Sequence, residues 1–128
     1  MAVLSTEARN AACNAIVDLI DTGGAGTFLL TDTAGGGGTT LATITLNNPA
    51  FGNAATGVAT LDVTGGLSAS ASAGGTAAGW ALRENDNTVQ LSGDIGTGSE
   101  DLDIDNTSVT SGQTVNLNAI TVTVPAGT

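Results

Sequence analysis

The sequence contains no histidine, no tyrosine and no lysine. Without histidine, nucleophile–base arrangements built on an imidazole are excluded. Without lysine, the only cations are Arg9 and Arg83, set against 12 Asp+Glu, for a net charge of -10. Nothing in such a chain neutralises a phosphate backbone, which excludes nucleic acid as a partner. The same deficit excludes anionic membrane surfaces. Cys13 is the only cysteine, so no intrachain disulfide forms, and within a predicted helix it reads as a small buried side chain. No stretch approaches the roughly 18 apolar residues of a transmembrane helix. The N-terminus lacks the basic residues and continuous apolar run of a secretory signal, so synthesis in the cytoplasm is expected, with any export by other means.

Aromatic residues make up 2% of the chain, while Gly numbers 19. Small side chains bury little apolar area, at about 25 cal/mol per Å². A thin core is therefore expected, with stability supplemented by oligomerisation or by docking on a partner. The length of 128 residues suits one domain, 1–128. No internal repeat and no dividing linker is visible. Carboxylates are plentiful, but no pattern places two of them in a buried pocket, and the chain reads as non-enzymatic.

What is present is one helix and a series of short alternating segments. Residues 5–21 read as the helix. Ser5 or Thr6 caps it, Glu7 suits the positive end of its dipole, and Gly23-Gly24 stop it. Ala8, Ala12, Ala15, Ile16 and Leu19 form an apolar stripe, widened by Val17 and Ile20. That stripe is expected to cover a face of the same domain, the alternative being a neighbouring subunit.

Residues 26–124 read as strands and turns. Phe28, Leu29 and Leu30 mark the first strand. Gly35–Gly38 reads as a flexible loop tip and not a phosphate loop, since no lysine follows and no helix begins there. Thr39–Leu46, Gly57–Val63 and Leu67–Ala73 alternate with period two, and Phe51 anchors the loop after Pro49. Leu102, Ile104 and Val109 mark a short strand, and Ser111-Gly112 a turn. Val115–Val124 carries Val115, Leu117 and Ala119 on one face and then Ile120, Val122 and Val124 on the other, a phase change near Asn118-Ala119 that suggests a bulge. The expected fold is mainly β, an antiparallel sandwich or barrel-like domain with one N-terminal helix.

The stretch with the best-defined register is Thr76–Gly96. Ala78, Trp80 and Leu82 share one face of the first arm, and Val89, Leu91 and Ile95 one face of the second. A two-residue turn at Asp86-Asn87 pairs Asn85 with Thr88, Leu82 with Leu91 and Ala78 with Ile95. Trp80 then lies opposite Gly93, where its ring covers a residue without a side chain. A three-residue loop would mix the two faces.

The sharpest candidate for a site is Glu100–Asn106. Oxygen ligands at alternate positions suit Ca²⁺. However, Asp101, Asp103 and Asp105 alternate with Leu102 and Ile104, as in a half-exposed strand, and the glycine and terminal glutamate of an EF-hand loop are missing. The run reads as a solvated face, leaving no metal, cofactor or catalytic residue assigned. Arg83 is expected to pair with a nearby carboxylate.

The segments ARNAACNAIVDLIDTG, LATITLNNPAFG, GVATL, GTAAGWALREND, SGDIG and DLDIDNTSVTSGQTV occur in that order. This order resembles a group of small proteins encoded by tailed bacteriophages, several of them virion structural proteins. The resemblance spans most of the chain and carries over no functional residues. It implies a decoration or cement protein on the capsid exterior, made in the host cytoplasm. Its partners would be the major capsid protein and further copies or lattice neighbours. The alternatives are a tail or head–tail junction component, and a secreted cell- or carbohydrate-binding β module. The latter calls for aromatic platforms, for which only Trp80, Phe28 and Phe51 are available.

The solvated reading of the acidic run predicts that EDTA leaves the thermal melt unchanged. A fall of more than about 5 °C on chelation, worth around 1 kcal/mol in a domain of this size, would establish a structural cation instead.

Overall fold

A computed structural model describes residues 3–95, 102–104 and 107–125, with the backbone alone for 102–104. The Ser5 hydroxyl accepts the Ala8 amide at 3.1 Å and caps α1 (Thr6–Asp18), with Glu7 in the first turn. A 3-10 turn, Leu19–Asp21, ends it. The strands among the described residues are β1 (Thr27–Thr33), β2 (Gly37–Thr45), β3 (Val58–Thr60), β4 (Leu67–Ser70), β5 (Gly75–Thr76), β6 (Gly79–Arg83), β7 (Val89–Asp94), β8 (Leu102–Ile104), β9 (Ser108–Val109) and β10 (Thr114–Thr123).

All pairings are antiparallel. One sheet has the order β2-β1-β6-β7. In the other, β10 pairs with β4 through its first half, β3 through its last residues and β8 at its middle. A short β5–β9 ladder lies beside them. The fold is mainly β and sandwich-like with one N-terminal helix, as the alternating segments predict. Phe28, Leu30, Ile44, Trp80 and Leu82 from the first sheet meet Leu61, Leu67, Leu117 and Ile120 from the second in one buried cluster. Cys13, Val17 and Ile20 of the helix segment join it.

The hairpin keeps its predicted outer register: Leu82 opposes Leu91 and Trp80 opposes Gly93. The Ile95 amide also donates to the Ala78 carbonyl at 3.0 Å. The turn differs from the expected two-residue form. Glu84 pairs with Thr88 through a 2.9 Å bond around a three-residue loop, and the Asn87 amide closes it on the Glu84 carbonyl at 3.0 Å. The faces nevertheless do not mix, because Arg83 opposes Val89 while Leu82 opposes Leu91, leaving Gln90 as a bulge that absorbs the extra residue. Val89 is consequently 51% exposed and does not share the buried face expected for it.

Two further bulges change the alternation. Between Leu30↔Ala42 and Thr31↔Thr40 the residue Leu41 is inserted, so Leu41 and Ala42 are both buried where simple alternation would split them. The Leu41 carbonyl accepts the Ser72 amide at 2.8 Å, tying β2 to the segment beyond β4. In β10 the register shifts between Leu117 and Ala119, as expected. The effect is to keep Val115 and Leu117 and then Ile120 and Val122 all in the core, not to send the two sets to opposite faces. Val63, expected in line with Ala59 and Leu61, falls in the turn where the Gly66 amide bonds its carbonyl, and is 37% exposed.

The glycine run is also not a free tip. Ala34–Gly36 forms a 3-10 turn that folds over the outer face of β6. A Cβ on Gly36 would lie 2.7 Å from the Trp80 carbonyl oxygen, so only glycine fits this approach. The turn covers Ala81, which is buried although it faces away from the core.

Trp80 stacks on Phe28, with ring centroids 6.4 Å apart and planes at 15°. A Cβ on Gly93 would meet its indole at 2.9 Å. Trp80→Ala is therefore expected to destabilise the fold by about 3–5 kcal/mol in urea, and Gly93→Val by about 1–3 kcal/mol through overpacking. A loss below about 1 kcal/mol for Trp80→Ala would place the ring outside the core.

Candidate functional site

The residues singled out from sequence do not converge. Glu100, Asp101, Asp105 and Asn106 lie outside the described residues, and among the described residues no cluster of His, Cys, Asp or Glu has the arrangement of a metal site. Trp80, Phe28 and Phe51 are all buried, so none of them forms an exposed aromatic platform. Arg83 donates through Nε to the Thr27 hydroxyl at 3.1 Å, on the strand beside it, and not to the carboxylate expected. Cys13 is buried as expected, its thiol donating to the Val122 carbonyl at 3.3 Å. Burial pushes that thiol's pKa up, partly offset by a backbone hydrogen bond with Ala59, which keeps it protonated and unreactive.

The polar groups that do assemble are on the helix. Asn10 Oδ1 accepts the Gly57 amide at 2.8 Å, Asn14 Oδ1 the Ala54 amide at 2.7 Å, and Asp21 Oδ1 the Ala50 amide at 2.8 Å. Arg9 adds two donations, Nε to the Val124 carbonyl and Nη2 to the Thr56 carbonyl, both at 2.9 Å. The irregular segment between β2 and β3 thus runs antiparallel to the helix, with its backbone groups taken up by helix side chains. A packed loop needs this, because buried amides left without partners are costly.

These bonds set the rotation of the helix. The residues facing the core are Cys13, Val17 and Ile20, at i, i+4 and i+7. The stripe expected to be buried is turned outward: Ala8 and Ala15 are exposed, Leu19 is 44% exposed, and Ala12 and Ile16 are only half-buried. Leu4 and Val3, just before the cap, are 43% and 68% exposed. Periodicity missed this because it counts Asn10 and Asn14 as solvent-facing. The available signal was the i, i+4 spacing of two asparagines beside the cation Arg9.

Burial raises the pKa of Asp21, with Asp18 adding to the rise and the Ala50 amide opposing it. Asp86 is lowered by hydrogen bonds from the Thr88 side chain and amide, and Asp62 by those from Thr64. Asp21, Asp32, Asp62 and Asp86 thus accept backbone amides and brace loops and turns.

The chain matches no protein-family model, no curated protein and no solved structure.

Asp21 yields a prediction of definite sign. Its folded pKa lies above its unfolded one, so the charged form opposes folding at neutral pH, and this opposition fades as pH falls through the folded value. Asp21→Asn keeps the acceptor without the charge and is expected to match or exceed wild-type stability at pH 7, with the gap closing on acidification. Asp21→Ala orphans the Ala50 amide and should cost about 1–3 kcal/mol. Asp86, lowered, behaves oppositely: its contribution is present above the unfolded pKa and lost as pH falls through the folded one. Chemical denaturation across pH 3–7 checks both, and a widening gap between Asp21→Asn and wild type toward acid would contradict the assignment.

Proposed function

We propose that this protein is a non-enzymatic structural component of a bacteriophage virion, a decoration or cement protein that binds the outside of the assembled capsid and stabilises it. The observation that carries the reading is how the polar side chains are used. Arg9, Asn10, Asn14 and Asp21, together with Asp32, Asn47, Asp62, Ser72 and Asp86, all hydrogen-bond the chain's own backbone. Groups spent in this way brace a scaffold and do not converge on a substrate. The ordered segments that resemble phage virion proteins point in the same direction.

The physical demands of cementing agree with this use. A cement protein recognises a composite surface that exists only once capsomers meet, so its affinity is for the lattice. Many modest interfaces acting together hold such a shell more effectively than one deep site. The partners on this reading are the major capsid protein and lattice neighbours or further copies. The charge of -10 favours a basic surface on the shell.

The test is to heat or osmotically shock particles with and without the protein while measuring DNA release and copy number. The expected result is earlier release without it, and on the order of hundreds of copies per particle, the multivalent regime. Unchanged shell survival together with about a dozen copies or fewer would sink the cement reading and promote a tail or head–tail junction component.

A further inference from the structure

We infer that the outward face of α1 is the docking surface of this protein, and that its partner presents an apolar patch rimmed by lysine or arginine. The inference rests on the reading of the protein as a shell-binding component and names the part that binds. Ala8, Ala15 and Leu19, at i, i+7 and i+11, form the centre of the face. Ile16 borders it, and Val3 and Leu4, just before the cap, are exposed as well. Among the described residues, three of the five exposed large hydrophobics belong to the N-terminal segment, Val3 and Leu4 before the helix and Leu19 at its end, while Val63 and Val89 lie elsewhere. Alanines let a partner approach closely and lose no rotamer freedom on burial, while the larger side chains at the ends supply the apolar area.

Charge decides what kind of partner fits. Glu7 and Asp18 flank the face on the same side, both exposed. A second copy carries the same net charge of -10, sets carboxylates against carboxylates and brings only Arg9 and Arg83 as cations, each already hydrogen-bonded within its own fold. A basic rim on a different protein satisfies Glu7 and Asp18 and steers the encounter. The hydrogen bonds of Arg9, Asn10, Asn14 and Asp21 hold the helix to the body, so a load taken by this face is passed to the sheets and not to a loose arm.

The experiment measures binding of the full chain to purified shells that lack it, at several salt concentrations. Ala15→Glu and Leu19→Gln, both at exposed positions and checked for an unchanged melt, are each expected to weaken binding at least about tenfold. Val89→Gln, exposed on β7 and apart from the helix, is expected to leave it unchanged. Wild-type binding should weaken as salt rises, and Glu7→Gln with Asp18→Asn should flatten that dependence. If wild type binds and Ala15→Glu and Leu19→Gln bind equally well, the helix face is not the docking surface, while the shell-binding function stands. Salt-independent binding would remove the basic rim. A self-association of the free protein that Ala15→Glu abolishes would assign the face to a second copy instead. Failure of wild type to bind would overturn the shell-binding function and this inference with it.

Discussion

The hydrogen bonds from one side of the N-terminal helix to the backbone of residues 50–57 are the constraint on which the surface of this protein depends. Three amides, at Ala50, Ala54 and Gly57, find acceptors on Asp21, Asn14 and Asn10. Ala50 is fully buried and Gly57 is also buried, so water cannot take the place of those acceptors at either site. Each such bond adds only about 1 kcal/mol net, but leaving its partner unsatisfied costs more. That asymmetry, together with burial of Cys13, Val17 and Ile20, opposes a rotation of the helix that would bury Ala8 and Leu19 instead. The rotation decides which apolar residues face solvent.

How much of this was legible in the sequence depended on whether the governing interaction leaves a periodic trace. Trp80 over Gly93 does, because alternation sets the phase and a residue without a side chain marks where a large ring can lie. The cap at Ser5, the burial of Cys13 and the bulge near Asn118 were legible for similarly local reasons. The helix rotation was not. Hydrophobic periodicity ranks asparagine as a surface residue, whereas Asn10 and Asn14 act here as acceptors for a loop distant in sequence. The two stripes of the helix are both apolar, and nothing local says which of them the loop will claim. The acidic run at 100–106, the sharpest sequence candidate for a site, falls largely outside the described residues.

Bulges account for most of the remaining differences. Gln90, Leu41 and Asn118 each insert one residue into a ladder. A one-residue slip ordinarily exchanges the faces of a strand. A bulge makes the same slip locally and so restores the phase that packing requires. At Gln90 this allows a three-residue loop without disturbing Leu82 against Leu91. At Leu41 it buries two consecutive residues and turns a carbonyl toward Ser72. In a chain with few large side chains, each apolar residue kept inside matters, and the bulges keep them there at the expense of a few ladder bonds.

The charge distribution follows the same economy. From Thr33 to Leu61, from Val63 to Leu82 and from Asn106 to the end, the chain carries no charged residue. This leaves β2 to β5, β9 and β10 without charge, while the carboxylates collect on the helix segment, on the β6–β7 hairpin and in the run that follows it, with Asp32 and Asp62 bracing turns between. Only two cations stand against them, Arg9 and Arg83, and both are hydrogen-bonded within the fold. Two copies approaching by their acidic regions repel, and two approaching by their uncharged strands do not. A basic partner at the helix and like copies alongside are thus compatible without competing for one surface. On the proposed reading each copy would hold to the shell through one face and tolerate its neighbours on another, and this charge distribution is compatible with both. Binding at the helix face, as proposed, would also stabilise the fold by mass action, since only the folded helix presents that face.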